Sequence, residues 1–389
     1  MIRFTLKPYD VLFFGSGRPF NRGDVVASAF PPHPNTFASA ICSKIYQFKN
    51  IDISGILKSV YGPFISKEDK ICFPKPQNIY GEKKKKEKDK FFTVKPIDEV
   101  KLNLFKSDNT NKPNKPNGIE KLPVYLGDEE VEQFEGFISA DGLKKWLADQ
   151  KIEKEDILQY KDIFESEPRV GIKIEPSLYS VGGREDALYR IEFLRLKEDI
   201  KFVFWVEFDF SNGELKKCGL DDEEKIFEFF SNEPKVLKLG GEMKNVSYEV
   251  QKNDFKEWIR NELKVPEKIE LKKEDRILVL FLTYGVFDGG VFDVGKLPQI
   301  NGFEIYSACF GGYEIIGINS AKLGRKTKRA FAPGTVLWLE SQIDKTIIIN
   351  NPNFLCKNQS QNDYYFNEPK GKQEFIGTNL VLIKKEGGQ

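Results

Sequence analysis

The sequence is almost without histidine, because His33 is the one histidine among 389 residues. Histidine is the side chain that most often moves protons at neutral pH, and it is the commonest protein ligand of transition metals. A Ser-His-Asp or Cys-His mechanism would have to use His33, and the usual histidine-based metal sites are excluded. We therefore expect neither a metal ion nor another cofactor.

Paired cysteines and long apolar runs are also missing. The five cysteines lie far apart and form no C-x-x-C pair, so neither a zinc ribbon nor a disulfide framework is indicated. Cysteines used in this way are typical of a reducing compartment, and we expect a cytoplasmic protein. No apolar run approaches the length of a membrane span, and the N-terminus does not have the pattern of a signal peptide. We expect no membrane partner.

The sequence has no excess of charge of either sign. Its 60 Lys and Arg residues balance 59 Asp and Glu residues, for a net charge of +1. This balance argues against a protein that coats nucleic acid by bulk charge, but it allows a local basic site. The length is sufficient for two or more domains with their own cores.

The first fifty residues predict a strand, a glycine-arginine loop and a helix. Residues 2–6 alternate between apolar and polar, as a half-buried strand does. The loop at residues 15–20 contains Arg18. Apolar residues then recur between Phe37 and Phe48 at spacings of four, four and three, which place them on one helical face.

The rest of the N-terminal half predicts more strands and a second helix. Alternation and turn residues indicate a short helix at residues 55–61, a long hairpin over residues 169–196, a strand at residues 201–210, a helix after Asp221, and strands at residues 236–239 and 246–250. Strand, helix, two or more strands, helix, strand is the order of the ferredoxin-like fold, which also underlies the RNA recognition module.

The predicted fold class is therefore α+β with two domains. Residues 1–250 would form the first ferredoxin-like domain, with an insertion at about 62–166 that is rich in loops and charge. Residues 251–389 begin with an amphipathic helix and continue with short strands. A degenerate second copy of the ferredoxin-like unit is one interpretation of this half, although periodicity alone does not prove it.

The strongest local signal lies between Gly311 and Glu340. Two glycines open it, and five basic side chains follow within residues 322–329, while residues 315–339 contain no acid. Arginine binds phosphate through two parallel hydrogen bonds, and glycine lets a backbone approach a phosphate closely. A flexible basic hairpin is the alternative, but the missing acids favour nucleic-acid contact.

Three weaker signals remain open between two interpretations. The pair Gly240 and Gly241 is either a loop that faces RNA or a tight turn. The Gly-Gly tip of the long hairpin is likewise either a simple turn or a loop that faces RNA, and the length of the hairpin places Arg184 well to reach a partner. The charge run at residues 83–90 either touches RNA phosphates or forms a solvated loop.

Taken in order, these stretches resemble a known family. The resemblance spans nearly the whole chain and rests on Asp10–Phe14, Arg18–Phe20, Phe30–Thr36, Arg169–Ile172, Leu188–Tyr189, Phe193–Arg195, Leu239–Glu242, Gly311–Tyr313, Arg329–Ala330 and Pro333–Val336. The family is the third subunit of the Cmr complex, the type III-B CRISPR effector, within the RAMP superfamily of RNA-binding proteins.

The resemblance implies a non-catalytic scaffold of antiviral defence with two RAMP-type ferredoxin-like domains. Such a subunit holds the 5′ handle of the CRISPR RNA and docks on the large polymerase-like subunit and on the backbone RAMP subunit. We expect the phosphate contacts to come from Arg18, Arg169, Lys173, Arg184, Arg325, Lys326, Lys328 and Arg329. We expect glycine loops at Gly240, Gly241, Gly311 and Gly312 to approach the RNA.

The sequence departs from the family pattern in three places. His33 stands where a small hydroxyl residue is usual, Tyr313 where tryptophan is frequent, and Met243 and Lys244 where an arginine is expected. The alternative function is a RAMP endoribonuclease that processes precursor CRISPR RNA. Its general base would have to be His33, or a tyrosine or lysine with a shifted pKa.

Overall fold

The computed structural model describes residues 1–15, 25–83, 89–96, 123–125, 127–172, 188–232, 234–287, 297–320, 324–358, 363–368 and 375–387. For residues 25, 172, 188, 189, 243, 318–320 and 324–326 it describes the backbone alone. The chain folds into two compact units, each built from several stretches of sequence. Unit 1 contains residues 1–69, 160–253 and 315–327, and unit 2 contains residues 70–159, 254–314 and 328–389.

The described residues are rich in strands. In chain order the strands are β1 (Ile2–Pro8), β2 (Val25–Ala27), β3 (Leu57–Lys67), β4 (Lys70–Pro74), β5 (Ile79–Glu82), β6 (Phe91–Thr93), β7 (Lys95–Pro96), β8 (Pro123–Val124), β9 (Val131–Glu132), β10 (Gly136–Ser139), β11 (Ile157–Gln159), β12 (Phe164–Ile172), β13 (Leu188–Leu196), β14 (Ile200–Phe208), β15 (Val236–Leu239), β16 (Lys244–Lys252), β17 (Lys268–Leu271), β18 (Arg276–Phe281), β19 (Gly285–Val286), β20 (Phe303–Cys309), β21 (Tyr313–Ser320), β22 (Gly324–Phe331), β23 (Val336–Ser341), β24 (Ile347–Asn350), β25 (Asn353–Lys357), β26 (Tyr364–Asn367) and β27 (Leu380–Lys385).

The α-helices among the described residues are fewer than the strands. They are α1 (Pro34–Lys49), α2 (Ala140–Leu147), α3 (Tyr160–Ile163), α4 (Gly213–Lys217), α5 (Glu223–Ser231) and α6 (Phe255–Leu263). Among the residues with a described position, no helix has both the length and the apolar character needed to cross a membrane.

The main sheet of unit 1 has the strand order β3-β14-β1-β16-β15. Each strand is antiparallel to its neighbours. The alternating residues Ile2, Phe4 and Leu6 are fully buried, which confirms the face predicted from the sequence. Of β1, β3, β14 and β16, the sequence predicted β1, β14 and β16 but not β3, and β1 and β14 lie at the centre of this order.

Helices α1 and α5 pack on the main sheet of unit 1 and form its core with it. Phe37 of α1 contacts Phe204 of β14 with ring centroids 5.1 Å apart, and Phe230 of α5 meets Phe4 of β1 at 5.0 Å. The helix is confirmed, and Phe37, Ile41 and Ile45 of the predicted apolar face are buried, whereas Phe48 is 55% exposed. Burying such side chains is the main source of stability in a unit of this kind.

One prediction in this region is wrong. Residues 55–61 do not form a helix, because Leu57–Lys67 is a strand that pairs with β14. The strand is buried on both faces, so it shows no alternation that the sequence could reveal. The start of the predicted insertion, at about residue 62, falls within this strand.

Unit 1 also contains a long hairpin outside its main sheet. Strands β12 and β13 pair antiparallel over nine residues each, and the short β2 pairs with β13. The hairpin that the sequence predicts over residues 169–196 is confirmed over the described residues 169–172 and 188–196, and its first strand begins earlier than predicted, at Phe164. Its predicted Gly-Gly tip lies outside the described residues.

The main sheet of unit 2 has the order β20-β23-β18-β27-β25-β26. Within it, β18 is antiparallel to both β23 and β27, and β20 is antiparallel to β23. Its core includes Val279, Phe281, Leu337, Leu339 and Val381, each with no exposed surface. Strands β4, β10 and β11 form further pairs in this unit, beside helices α2 and α6.

The two sheets share an order of strands. In unit 1 the first, second, third and fourth strands are β1, β3, β14 and β16, and in unit 2 they are β18, β20, β23 and β27. In each unit the first strand lies between the third and the fourth, and the second lies beyond the third. The hairpin β12–β13 and the basic hairpin β21–β22 both follow a second strand. The predicted boundary at about residue 250 stays a prediction, because the two compact units are discontinuous in sequence.

Candidate nucleic-acid interface

The first candidate surface, in unit 1, is built around Phe193 on β13. The guanidinium carbon of Arg169 and the ammonium of Lys244 each lie over this ring, 5.2 Å from its centroid. Phe13 packs against the same ring with centroids 5.8 Å apart. We call Phe13, Arg169, Phe193, Lys244 and the glycines described below the Phe193 surface.

Arg169 belongs to a network of four charged side chains. Its Nε and Nη2 donate to Glu167 Oε1 at 2.9 and 2.7 Å, and Nη2 also donates to Asp10 Oδ2 at 3.2 Å. Arg195 donates to Glu167 Oε2 at 2.6 Å and to Asp10 Oδ1 at 3.0 Å. Two cations and two anions therefore neutralise one another on one face of the β12–β13 hairpin.

The network fixes the ionisation of its acids. Hydrogen bonds from Arg169 and then from Arg195 hold the pKa of Glu167 below its usual value. All four side chains keep between 31% and 47% of their surface exposed. Exposed ion pairs contribute little to stability, so the main effect of the network is to orient the two guanidinium groups.

The glycine pair predicted at residues 240–241 is a tight turn that joins the Phe193 surface. Gly240 has a φ of +74°, and a β-carbon there would lie 2.4 Å from the carbonyl oxygen of Phe13. The N–H of Gly241 donates to that same oxygen at 2.7 Å. Glycine is required because no side chain fits between this turn and the segment after β1.

Lys244 was not among the RNA-binding residues predicted from the sequence. It opens β16 directly after the glycine turn, near the place where the family resemblance leads one to expect an arginine. No carboxylate among the described residues lies within 4 Å of it, in contrast to Arg169. It is therefore the cation of this surface that is best placed to meet a phosphate.

The second candidate surface, in unit 2, contains the predicted residues Gly311, Gly312 and Arg329. Gly312 has a φ of +109° with open space around its α-carbon, and the chain then enters β21 at Tyr313. The Tyr313 ring is 46% exposed, and the guanidinium of Arg329 lies over it at 5.0 Å. We call Gly311, Gly312, Tyr313 and Arg329 the Tyr313 surface.

The other predicted residues of the basic hairpin are described in part. Lys328 is partly buried, and its ammonium lies 5.7 Å from the centroid of the Phe375 ring. Arg325 and Lys326 lie on β22, where the backbone alone is described. The remaining predicted cations, Arg18, Lys173 and Arg184, lie outside the described residues, so their roles stay predictions.

His33 lies immediately before α1, in the position that precedes the first helical residue. Burial lowers its pKa to about 4, so the imidazole is neutral at physiological pH. A base with so low a pKa is poorly matched to taking a proton from a ribose hydroxyl near neutrality.

The fold and these surfaces define a strand-rich protein of mixed α/β class, with partly or fully exposed cations over aromatic rings beside pairs of glycines. The chain matches the family model described as CRISPR-associated protein (Cas_Cmr3) over residues 4–384. It therefore belongs to that family, the third subunit of the type III-B Cmr effector complex, in the RAMP superfamily. This confirms the resemblance drawn from the sequence. No curated protein matches the chain.

Solved structures with a similar chain come from type III effector complexes. A chain of the type III-B Cmr-beta complex bound to cognate target RNA and AMPPnP is 15% identical, with 86% of each chain covered and a TM-score of 0.45. A chain of the Csm3-Csm4 subcomplex of the type III-A interference complex is 13% identical, with 90% of this chain and 98% of that chain covered and a TM-score of 0.39. A chain of the Csm1-Csm4 cassette in complex with AMPPNP is 10% identical, with 97% and 98% covered and a TM-score of 0.34.

Proposed function

We propose that this type III effector subunit is a non-catalytic scaffold that binds single-stranded RNA, specifically the 5′ handle of the CRISPR RNA. One observation carries the proposal. In each unit a pair of glycines lies next to a cation placed over an aromatic ring: Gly240–Gly241 with the Phe193 surface, and Gly311–Gly312 with the Tyr313 surface.

This combination suits unpaired RNA. Single strands are held by stacking of their bases on aromatic rings and guanidinium groups, and by cations along the backbone. At Gly312 a phosphate can approach the backbone without meeting a side chain, since nothing lies within 4 Å of the position that a β-carbon would take. With a net charge of only +1, the protein would depend on these local surfaces rather than on bulk attraction.

We also propose that both units are ferredoxin-like domains of the RAMP type. The support is the shared strand order, in which the first strand lies between the third and the fourth. In unit 1, helices α1 and α5 occupy the two crossover positions of that fold. In unit 2 the described residues of the first crossover include β19, and those of the second include β24, β25 and β26.

The proposed protein partners are the large polymerase-like subunit and the backbone RAMP subunit of the Cmr complex. Membership of the family supports a place in that assembly. We further propose that the chain contacts both of these subunits, close to its own site for the RNA handle.

The experiment is a salt-titrated binding assay on the purified protein. It compares a 5′-handle CRISPR RNA with a scrambled RNA, each with and without the large subunit, and ends with a denaturing gel of the same samples. We expect tighter binding of the handle, intact RNA, and affinity that falls steeply with salt. Shortened RNA would instead indicate the endoribonuclease, and no binding in any combination would overturn the RNA-binding role.

A further inference from the structure

We propose that Arg169 is a stacking surface for one unpaired nucleobase and not a phosphate clamp. The inference rests on the proposed RNA-binding function and assigns a specific task to one residue of the Phe193 surface. It changes which part of the RNA this position recognises, from the backbone to a base.

The hydrogen-bonding capacity of Arg169 is largely occupied. Of the five N–H groups of a guanidinium, three are directed at carboxylates: one at Nε and two at Nη2. A phosphate that sought the usual two-pronged contact would have to displace Glu167 or Asp10. The second arginine of the network, Arg195, is bound by the same two acids.

The local charge also disfavours a phosphate. Arg169 and Arg195 carry two positive charges, and Asp10 and Glu167 carry two negative charges within 2.5 to 3.2 Å of them. The network is neutral as a whole, so its attraction for a phosphate is weak compared with that of Lys244. Asp10 and Glu167 are ionised at neutral pH, as exposed carboxylates are, and the arginines lower the pKa of Glu167 further.

The same contacts prepare the guanidinium for stacking. Its hydrogen bonds fix the group in place, the Phe193 ring supports it at 5.2 Å, and the side chain remains 40% exposed. A planar guanidinium held in this way offers a flat surface of the kind on which RNA-binding proteins stack bases. Asp10 and Glu167 then act as positioning residues, since they hold the group without touching the RNA.

The test uses the full chain and a set of 5′-handle RNAs, each with one base removed to leave an abasic site. Wild-type protein should bind one of these RNAs between about fivefold and a hundredfold more weakly than the intact handle, as expected for the loss of one stacked base. The variant Arg169→Lys keeps the charge but removes the planar group. It should bind that abasic RNA and the intact RNA equally well, with an unchanged dependence on salt.

Two control variants separate the stacking role from its alternatives. Arg195→Lys disturbs the same carboxylates but changes an arginine that is not seen over Phe193 in the described structure, so it should keep the preference for the intact base. Lys244→Ala should lower the salt dependence and weaken the binding of all the RNAs alike. Circular dichroism and thermal unfolding establish that each variant is folded.

The outcomes are distinct. If Arg169→Lys retains the wild-type sensitivity to the abasic site, or if no abasic site weakens wild-type binding, the stacking role is overturned while RNA binding stands. If Arg169→Ala lowers the salt slope as Lys244→Ala does, Arg169 is a phosphate clamp. If the wild-type protein binds no RNA with or without the large subunit, the proposed function and this inference both fail.

Discussion

A β-carbon at Gly334 would lie 2.2 Å from the carbonyl oxygen of Lys75. The two segments are joined further by the N–H of Gln77, which donates to the carbonyl oxygen of Gly334 at 2.8 Å. The Pro333–Gly334 stretch, which contributes to the family resemblance, therefore packs directly on a segment that the sequence places in an unexplained insertion. Within unit 2, this segment is part of the framework that supports β22 and β23.

We expect Gly334→Ala to destabilise unit 2 by more than about 2 kcal/mol. Gly334 has a φ of +90°, where a side chain alone costs about 1–2 kcal/mol, and the contact with a backbone oxygen adds to that. Gly312→Ala is the matched control, since Gly312 has a φ of +109° but nothing within 4 Å. Urea unfolding should show the larger loss for Gly334→Ala, and equal losses would mean that the close approach is harmless.

Because of Lys75, the stability of the protein should depend on pH in the alkaline range. Its ammonium is buried and donates to the carbonyl oxygens of Pro76 and Ile79 at 3.1 and 2.8 Å. Burial lowers the pKa of Lys75 to about 8, against 10.5 for an exposed lysine. The folded state therefore binds fewer protons than the unfolded state between these values, and stability rises with pH across that window.

The comparison is with Lys75→Met, which keeps the length of the side chain without the charge. The free energy of unfolding of wild type relative to this variant should rise by roughly 3 kcal/mol from pH 8 to pH 10.5, at 1.36 kcal/mol for each pH unit. Urea titrations of both proteins at several pH values measure this difference in the free energy of unfolding. A difference that stays flat across the range would show that the lysine keeps an ordinary pKa.

Where the sequence predicted secondary structure well, the pattern was local. The spacing of Phe37, Ile41 and Ile45 predicts α1, because this helix turns one face to the core, and the alternating aromatic residues from Phe202 to Phe208 predict β14, although β14 is itself buried on both faces. Strand β3 was missed because its sequence does not alternate and because it owes its structure to pairing with β14, which lies about 140 residues further along the chain. Such pairing leaves no periodic trace.

In the candidate site, too, some features could be predicted from the sequence and others became evident only from the fold. Arg169 could be selected from its sequence, but its partner Asp10 is 159 residues away and no local pattern connects them. Glu167 could have been predicted as a partner of Arg169, since residues two apart on a strand share a face. Lys244 was noted as a departure from a family pattern, and its position over Phe193 became evident only from the fold.

We expect Arg329→Ala to reduce the salt dependence of RNA binding. Arg329 is exposed over Tyr313, and no carboxylate within 4 Å of it is found among the described residues. Losing one phosphate contact to a single strand should lower the slope of log K against log salt by about 0.7. Lys328→Ala, which changes a partly buried neighbour over Phe375, should alter the slope less.

A salt titration of both variants with the handle RNA measures the two slopes. Equal slopes for wild type and Arg329→Ala would remove Arg329 from the interface. A loss of affinity with no change of slope would instead assign it to base stacking beside Tyr313.

His33→Ala separates the scaffold from the endoribonuclease. Because the pKa of His33 is lowered to about 4, its neutral imidazole is the form that the fold accommodates. We therefore expect His33→Ala to leave both the affinity for RNA and the length of the RNA unchanged on long incubation. The histidine should instead affect stability. The free energy of unfolding of wild type should exceed that of the variant by its full amount above pH 6.5, and this difference should be lost as the pH falls towards 4.

A denaturing gel and urea titrations between pH 4 and pH 8 test both parts. RNA that wild type shortens and His33→Ala leaves intact would make this residue a general base and contradict the scaffold. A stability difference that does not change between pH 7 and pH 4 would show that His33 is not held in its neutral form. Burial both lowers the basicity of the imidazole and restricts access to it. Intact RNA on the gel and a stability difference that depends on pH should therefore occur together, because a buried, weakly basic histidine at the start of α1 is poorly suited to take a proton from a ribose hydroxyl.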